Sequence, residues 1–221
     1  AHTQYIPALG VATNYTQTQY KVVLNDDLDS RTLDAQRSLS GYNLFTHKNT
    51  VINKEAQKEH FYMALKSDAA LNENNGSTSH AAYFQAHLDF TSLIEKAGTT
   101  YLVKVGSLID SHPKENISVE GQKVIERKYA ESFQTIIQFD IPKGYKIANL
   151  DKIKGNYFYA KQGRNIAGFS SEYLLDNNKL SIIVREEYYQ NVYENENFEA
   201  FQAINAASHA FNNFSLVLVS K

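Results

Sequence analysis

Phe133-Gln134-Thr135-Ile136-Ile137-Gln138-Phe139-Asp140-Ile141 is the stretch that decides the fold class. Phe133, Thr135, Ile137, Phe139 and Ile141 fall on one side of a period-two repeat, with Gln134, Gln138 and Asp140 on the other. That spacing describes a half-buried strand, because successive side chains of an extended chain point to opposite faces. The same alternation recurs outward from it. Tyr20, Val22 and Leu24 alternate with Lys21 and Val23, and Leu33, Ala35 and Leu39 alternate with Thr32, Asp34, Gln36 and Ser38. Between those two runs lies Asn25-Asp26-Asp27-Leu28-Asp29-Ser30, a turn-forming cluster, so the pair reads as a hairpin. Phe84, Ala86, Leu88 and Phe90 repeat the pattern. Tyr101–Val105, Tyr157–Ala160, Phe169–Leu174, Leu180–Arg185 and Phe214–Val219 supply further strands. The fold class expected is mainly β, with sandwich-like antiparallel sheets.

Two helices interrupt the strands in this reading. Around 53–66 period two gives way to Lys, Glu, Gln, Ala, Met and Leu, which are good helix formers. The second spans 196–211. Asn195 is positioned to cap it, Glu196 and Glu199 sit in its first turn, where the macrodipole favours acids, and Asn212-Asn213 can stop it. Phe198, Phe201, Ile204 and Phe211 form a stripe that should bury against a sheet. Asp110–Gly121, with Pro113 and few apolar groups, is the best candidate boundary. It divides the chain into β-rich units at 1–121 and 122–221, with one continuous double-layer domain as the alternative.

Composition narrows function mainly by exclusion. The 221 residues contain no Cys and no Trp, with 15 Tyr and 12 Phe. Without cysteine there is no thiol nucleophile, disulfide or thiolate metal site. The net charge of −2 is spread evenly: residues 1–110 hold 9 basic and 11 acidic groups, and residues 111–221 hold 13 of each. Nothing in that distribution is a footprint for nucleic acid. No apolar run is long enough to cross a bilayer as a helix, and residues 1–30 contain no signal-peptide pattern. Asn14, Asn75, Asn116 and Asn213 lie in Asn-X-Ser/Thr sequons of the kind an Asn-rich chain produces by chance.

Motifs for chemistry are few. Gly-X-Ser-X-Gly, His-Glu-X-X-His, Walker and Gly-X-Gly-X-X-Gly patterns are all missing, so no catalytic residue, metal ligand or cofactor is assigned. Glu55, Glu59 and His60 read as a solvated helix face, because His60 is rotated about 100° from Glu59. Asn25, Asp27 and Asp29 begin like a calcium loop, but Ser30 replaces the turn glycine and Gln36 the bidentate Glu. Arg185-Glu186-Glu187 and Glu126-Arg127-Lys128 read as solvated charge pairs. Tyr188, Tyr189 and Tyr193 are the candidates for a ligand platform, weighed against core or edge packing, which sheets require of the same residues.

A family resemblance adds to this. Glu126-Arg127-Lys128-Tyr129, the strand Phe133–Ile141 and the run Ile141-Pro142-Lys143-Gly144-Tyr145-Lys146-Ile147-Ala148-Asn149-Leu150 form one part of it. The ending, with Leu180, Ile182 and Val184, then Phe198-Glu199-Ala200-Phe201, then a Leu-Val-Leu strand, forms the other. Together they resemble the C-terminal β-rich region, of unknown function, that follows the core in bacterial transglutaminase-like proteins. The resemblance implies a non-catalytic accessory piece whose partner is an upstream transglutaminase-like core of the same polypeptide. It also implies a periplasmic or cell-envelope location. The core's Cys, His and Asp have no counterparts here. A stand-alone glycan-binding or adhesion module is the alternative, motivated by the Tyr-rich and Asn-rich composition.

Overall fold

A computed structural model describes residues 10–26, 28, 31–43, 76–78, 81–89, 93–109, 117–119, 122–194 and 196–221. The predicted helix at 53–66, the capping residue Asn195 and the Glu55/Glu59/His60 group lie outside them. So do most of the Asp110–Gly121 connection and two residues of the calcium-loop pattern, Asp27 and Asp29.

The described residues are mainly β, as the alternation requires. In chain order the strands are β1 (Tyr15–Leu24), β2 (Arg31–Ser40), β3 (Gly76–Thr78), β4 (Ala81–Asp89), β5 (Ile94–Ala97) and β6 (Thr100–Val103). They continue with β7 (Ile117–Val119), β8 (Gln122–Glu126), β9 (Glu131–Asp140), β10 (Tyr145–Ile147), β11 (Gly155–Lys161) and β12 (Arg164–Asp176). Last come β13 (Lys179–Tyr188), β14 (Val192–Glu194), the helix α1 (Glu196–Asn212) and β15 (Leu216–Ser220). Eight strands form one sheet in the order β11-β12-β13-β9-β1-β2-β4-β3. A four-stranded sheet runs β10-β15-β6-β5, and a three-stranded one β14-β8-β7.

The strand that decided the fold class lies inside the large sheet, between β13 and β1. Its pairing with β13 is antiparallel, but its pairing with β1 is parallel, with Gln17 opposite Gln134 and Tyr20 opposite Ile137. Period two reports which face a residue takes and says nothing about neighbour direction, so this pairing could not be read from the pattern. Strands from before and after the Asp110–Gly121 connection share the large sheet through β1 and β9, and the four-stranded sheet through β6 and β15.

The alternation translates directly into rows of side chains on the inner face. Ile182, Ile137, Tyr20 and Ala35 lie side by side on β13, β9, β1 and β2, and Leu180, Phe139, Val22 and Leu33 form the next row. All eight are buried. Val103, Val105, Leu216 and Leu218, on and beside the four-stranded sheet, join the same apolar cluster, so the second layer closes over the first.

The Pro142–Leu150 run builds the junction of these layers. Gly144 takes φ +86°, the Tyr145 amide donates to the Pro142 carbonyl at 3.2 Å, and the chain turns into β10 alongside β15. Asn149 then stands in for a strand: its Oδ1 accepts from the Val217 amide and its Nδ2 donates to the Ser215 carbonyl, both at 2.9 Å.

Helix α1 buries its expected stripe. Phe198, Phe201, Ile204 and Phe211 are all buried. Phe211 meets Phe169 of β12 with ring centroids 6.0 Å apart, and Phe201 meets Tyr188 and Tyr193 at 5.2 and 4.7 Å. Phe201→Ala removes the ring that both tyrosines contact. It should lower unfolding free energy by about 3–5 kcal/mol, the usual cost of a large core truncation, as measured by denaturant unfolding. A loss under about 1 kcal/mol would show that the stripe serves a partner instead of the core.

Candidate functional site

The inner face of the large sheet changes character along its length. Beyond the two apolar rows comes Val184, Thr135, Thr18 and Arg37, and then Glu186, Phe133, Thr16 and Leu39. Thr16, Thr18, Arg37, Thr135 and Glu186 are all buried. Each lies on the phase that the strand period assigns to the core, so the backbone gives its side chain no route to solvent.

Hydrogen bonds hold Thr16, Thr18, Arg37 and Glu186, as burial favours. Arg37 donates from Nε to the Thr18 hydroxyl at 2.9 Å, and Asn43 donates from Nδ2 to the Thr16 hydroxyl at 3.1 Å. The Glu186 carboxylate, 2% exposed, accepts from the Tyr188 hydroxyl at 2.9 Å on one oxygen and from the Ser208 hydroxyl at 2.6 Å on the other. Ser208 comes from α1, so the helix is fixed to the sheet by a charge-assisted bond as well as by its phenylalanines. Beside this network is a cavity of about 10 Å³ walled by Thr16, Thr18, Phe133, Thr135, Val184 and Glu186. That is the space of a single water molecule, not of an organic substrate.

The tyrosines singled out in the sequence belong to this region. Tyr188 and Tyr193 are 1% and 0% exposed, and neither ring presents a face to solvent. Tyr193 donates its hydroxyl to the Ile166 carbonyl at 3.1 Å and accepts from the Gln190 amide at 3.2 Å. The Ile166 carbonyl is available because the β11–β12 register shifts between Tyr159 and Ala160, leaving Ile166 as an extra residue in β12. Tyr189 is half-buried, and its amide donates to the same carbonyl at 3.1 Å. The structure thus gathers the three tyrosines around one β12 bulge, with Tyr188 and Tyr193 also against Phe201 of α1.

Two sequence expectations are corrected here. Glu186 and Arg127 are not solvated. Glu186 follows Leu180, Ile182 and Val184 in the same two-residue phase and therefore enters the core, a signal that was present in the alternation itself. Arg127 is held by an ion pair with Glu131, and its guanidinium lies 4.1 Å from the centre of the Tyr188 ring and 5.9 Å from that of Phe201. Arg185 does behave as expected: it pairs with Glu172 at 2.7 Å on the exposed side. Of the sequons, Asn14 is buried. Its Nδ2 donates to the Ala130 carbonyl at 2.9 Å and its Oδ1 accepts from the Tyr42 amide at 2.8 Å.

Chemically, the cluster is a supported carboxylate and not a nucleophilic centre. Ser208 bonds directly to Glu186 with no imidazole between them, and the neighbouring His209 is exposed. A serine needs a general base with room for an acyl group beside it, and neither is provided. Among the described residues, no group of three or more His, Asp or Glu side chains could hold a metal ion. No protein-family model, curated protein or solved structure compared with the chain matches it.

The network makes two predictions. Ser208→Ala leaves Glu186 with one donor fewer, and unfolding free energy should fall by about 1.5–3 kcal/mol, the range for bonds to charged groups. An unchanged denaturation midpoint would refute that role. The second prediction concerns alkaline pH. Burial above all pushes the Tyr193 phenol up to about 12. Burial also raises Tyr188, followed by the adjacent Glu186 charge. Unfolded tyrosines ionise near 10, so these neutral phenols stabilise the fold fully below about pH 10, and that stabilisation is lost as pH rises through 12. Phenolate absorbance should show Tyr188 and Tyr193 titrating late and together with unfolding, and Tyr193→Phe should flatten the stability–pH slope over that window. Native titration of every tyrosine near 10 would contradict it.

Proposed function

We propose that this chain is a non-catalytic accessory region of a bacterial transglutaminase-like cysteine hydrolase, located in the periplasm or cell envelope. It packs against a catalytic core encoded upstream in the same polypeptide, or positions substrate for it. The observation that carries the reading is the fate of the polar cluster beneath α1. Glu186, Tyr188 and Ser208 are bonded to one another beneath α1, beside a space of one water molecule. They maintain an interior and are closed to substrate.

The residues behind the family resemblance have structural roles of the kind a scaffold needs. Pro142-Lys143-Gly144-Tyr145 forms the turn into β10, Asn149 bridges to β15, and Phe198 and Phe201 anchor α1. Catalysis on this reading belongs to a thiol elsewhere, which a cysteine-free chain requires.

The coding sequence upstream of Ala1 tests the proposal. It should encode a transglutaminase-like domain with Cys, His and Asp in that order, and the purified chain alone should not react with a fluorophosphonate probe or turn over general esterase substrates. An upstream frame without such a domain overturns the reading, as does esterase activity of the purified chain, whether or not Ser208→Ala abolishes it.

A further inference from the structure

The large sheet ends at β11, and the outside of that strand carries features that the interior does not explain. Tyr157 and Phe158 are 53% and 50% exposed. β11 pairs with β12 on one side, and among the described residues no strand follows it on the other. Alternate backbone amides and carbonyls of an edge strand face outward, available to another chain.

The side chains around it are arranged to keep that edge straight and open. Phe158 lies directly over Gly168 on the neighbouring strand, where an added Cβ would collide with its ring. Tyr157 on the opposite face touches Phe169 at 6.2 Å, and Phe169 continues to Phe211 of α1 at 6.0 Å. The bulge residue belongs to β12, so the edge strand itself is unkinked. Gln162 and Gly163 both take positive φ, the conformation of a tight hairpin turn whose twist matches its strands.

Charge then selects the occupant. From Asp151 to Asn165 the chain carries Lys152, Lys154, Lys161 and Arg164 against one acid, Asp151. All five are exposed, in a protein whose overall charge is slightly negative. The lysines bracket the aromatic segment: Lys154 lies just before β11, with its ammonium 5.4 Å from the Tyr173 ring, and Lys161 closes the strand, 2.9 Å from Glu196. A second copy of the chain is disfavoured here. Antiparallel self-pairing about Phe158 would set Lys161 of one molecule opposite Gly155, one position from Lys154 of the other, so charge of one sign would gather at both ends.

We propose that β11 is a strand-addition site for an extended segment with apolar residues at its centre and acidic residues at its ends. The main chain of that segment would continue the large sheet antiparallel to β11. Its apolar side chains would cover Tyr157 and Phe158, and its acids would meet Lys154 and Lys161. The inference deepens the accessory reading, on which it rests for the existence of a partner. It names the chemistry of the contact.

The test uses hydrogen exchange on the intact chain with two synthetic peptides. Acetyl-Glu-Ser-Val-Val-Val-Ser-Val-Glu-amide should slow exchange of the β11 amides by about 10-fold or more near saturation, and salt at about 0.5 M should weaken the effect, as expected for exposed charges. The counterpart with Lys at both ends should give no protection. Lys154→Glu combined with Lys161→Glu, both exposed and harmless to the core, should exchange the two preferences. Protection by neither peptide, equal protection by both, or a concentration-dependent dimer that protects β11 without peptide would each overturn the proposal. None of these outcomes bears on the upstream reading frame, so the two readings fail separately.

Discussion

The structure depends on one joint, the parallel pairing of β1 with β9. Eight consecutive residue pairs, from Tyr15 opposite Ser132 to Val22 opposite Phe139, connect segments separated by 117 positions. Closing so long a loop costs entropy that local contacts cannot offset. The joint is accordingly tied outside the ladder as well as within it. Gln17 donates to Gln134 at 2.7 Å on the outer face. At the entrance, Ser132 donates its amide to the Asn14 carbonyl at 2.9 Å while Asn14 donates its side chain to Ala130. Gly41 at φ +62° allows the β2 end to pass directly over Asn14, where any Cβ would strike the Asn14 side chain and the Thr13 carbonyl. With β1 and β9 paired, β2 and β4 extend the sheet on one side and β13, β12 and β11 on the other.

How much of this was legible in the sequence follows from what each signal measures. Hydrophobic period measures face, and it identified β1, β2, β9 and β13 together with the buried stripe of α1. The same signal, extended one step past Val184, also places Glu186 in the core; charge preference argued the other way, and phase prevailed because the strand has no means of turning one residue around. Arg37 is a parallel case, in phase with Leu33, Ala35 and Leu39 and buried for that reason. Partner direction leaves no trace in period, which is why the parallel pairing was invisible. The roles of Tyr188 and Tyr193 were hidden for a different reason: an aromatic on a strand reads alike whether it faces solvent or a helix, and only the arrival of Phe201 decides between them.

The polar end of the inner face explains why α1 sits where it does. A carboxylate taken from water is tolerated only when its oxygens are satisfied, and an apolar helix laid over Glu186 would leave one of them bare. Ser208 supplies that donor from the stripe that otherwise carries Phe201, Ile204 and Phe211. Polar specificity and apolar burial therefore act at the same interface, and together they fix both the position and the rotation of the helix.

That commitment has a consequence at the sheet's edge. In many sheets a helix or loop shields the last strand, but α1 is held over β12 and β13 by Ser208, Phe201 and Phe211 and reaches β11 at its end, where Glu196 pairs with Lys161. Tyr157 and Phe158 stay about half exposed. Lysines at the ends of an open strand are a common guard against indiscriminate pairing, because each approaching copy brings like charges. A guard alone would be better served by a bulged or shortened strand with polar residues at its centre. β11 instead keeps a straight run with Tyr157 and Phe158 half exposed on its two faces and places its bulge in the neighbouring strand. Charges that repel a second copy while the aromatic centre stays open discriminate between partners, and the one class they admit is an extended chain with acids where this edge has lysines.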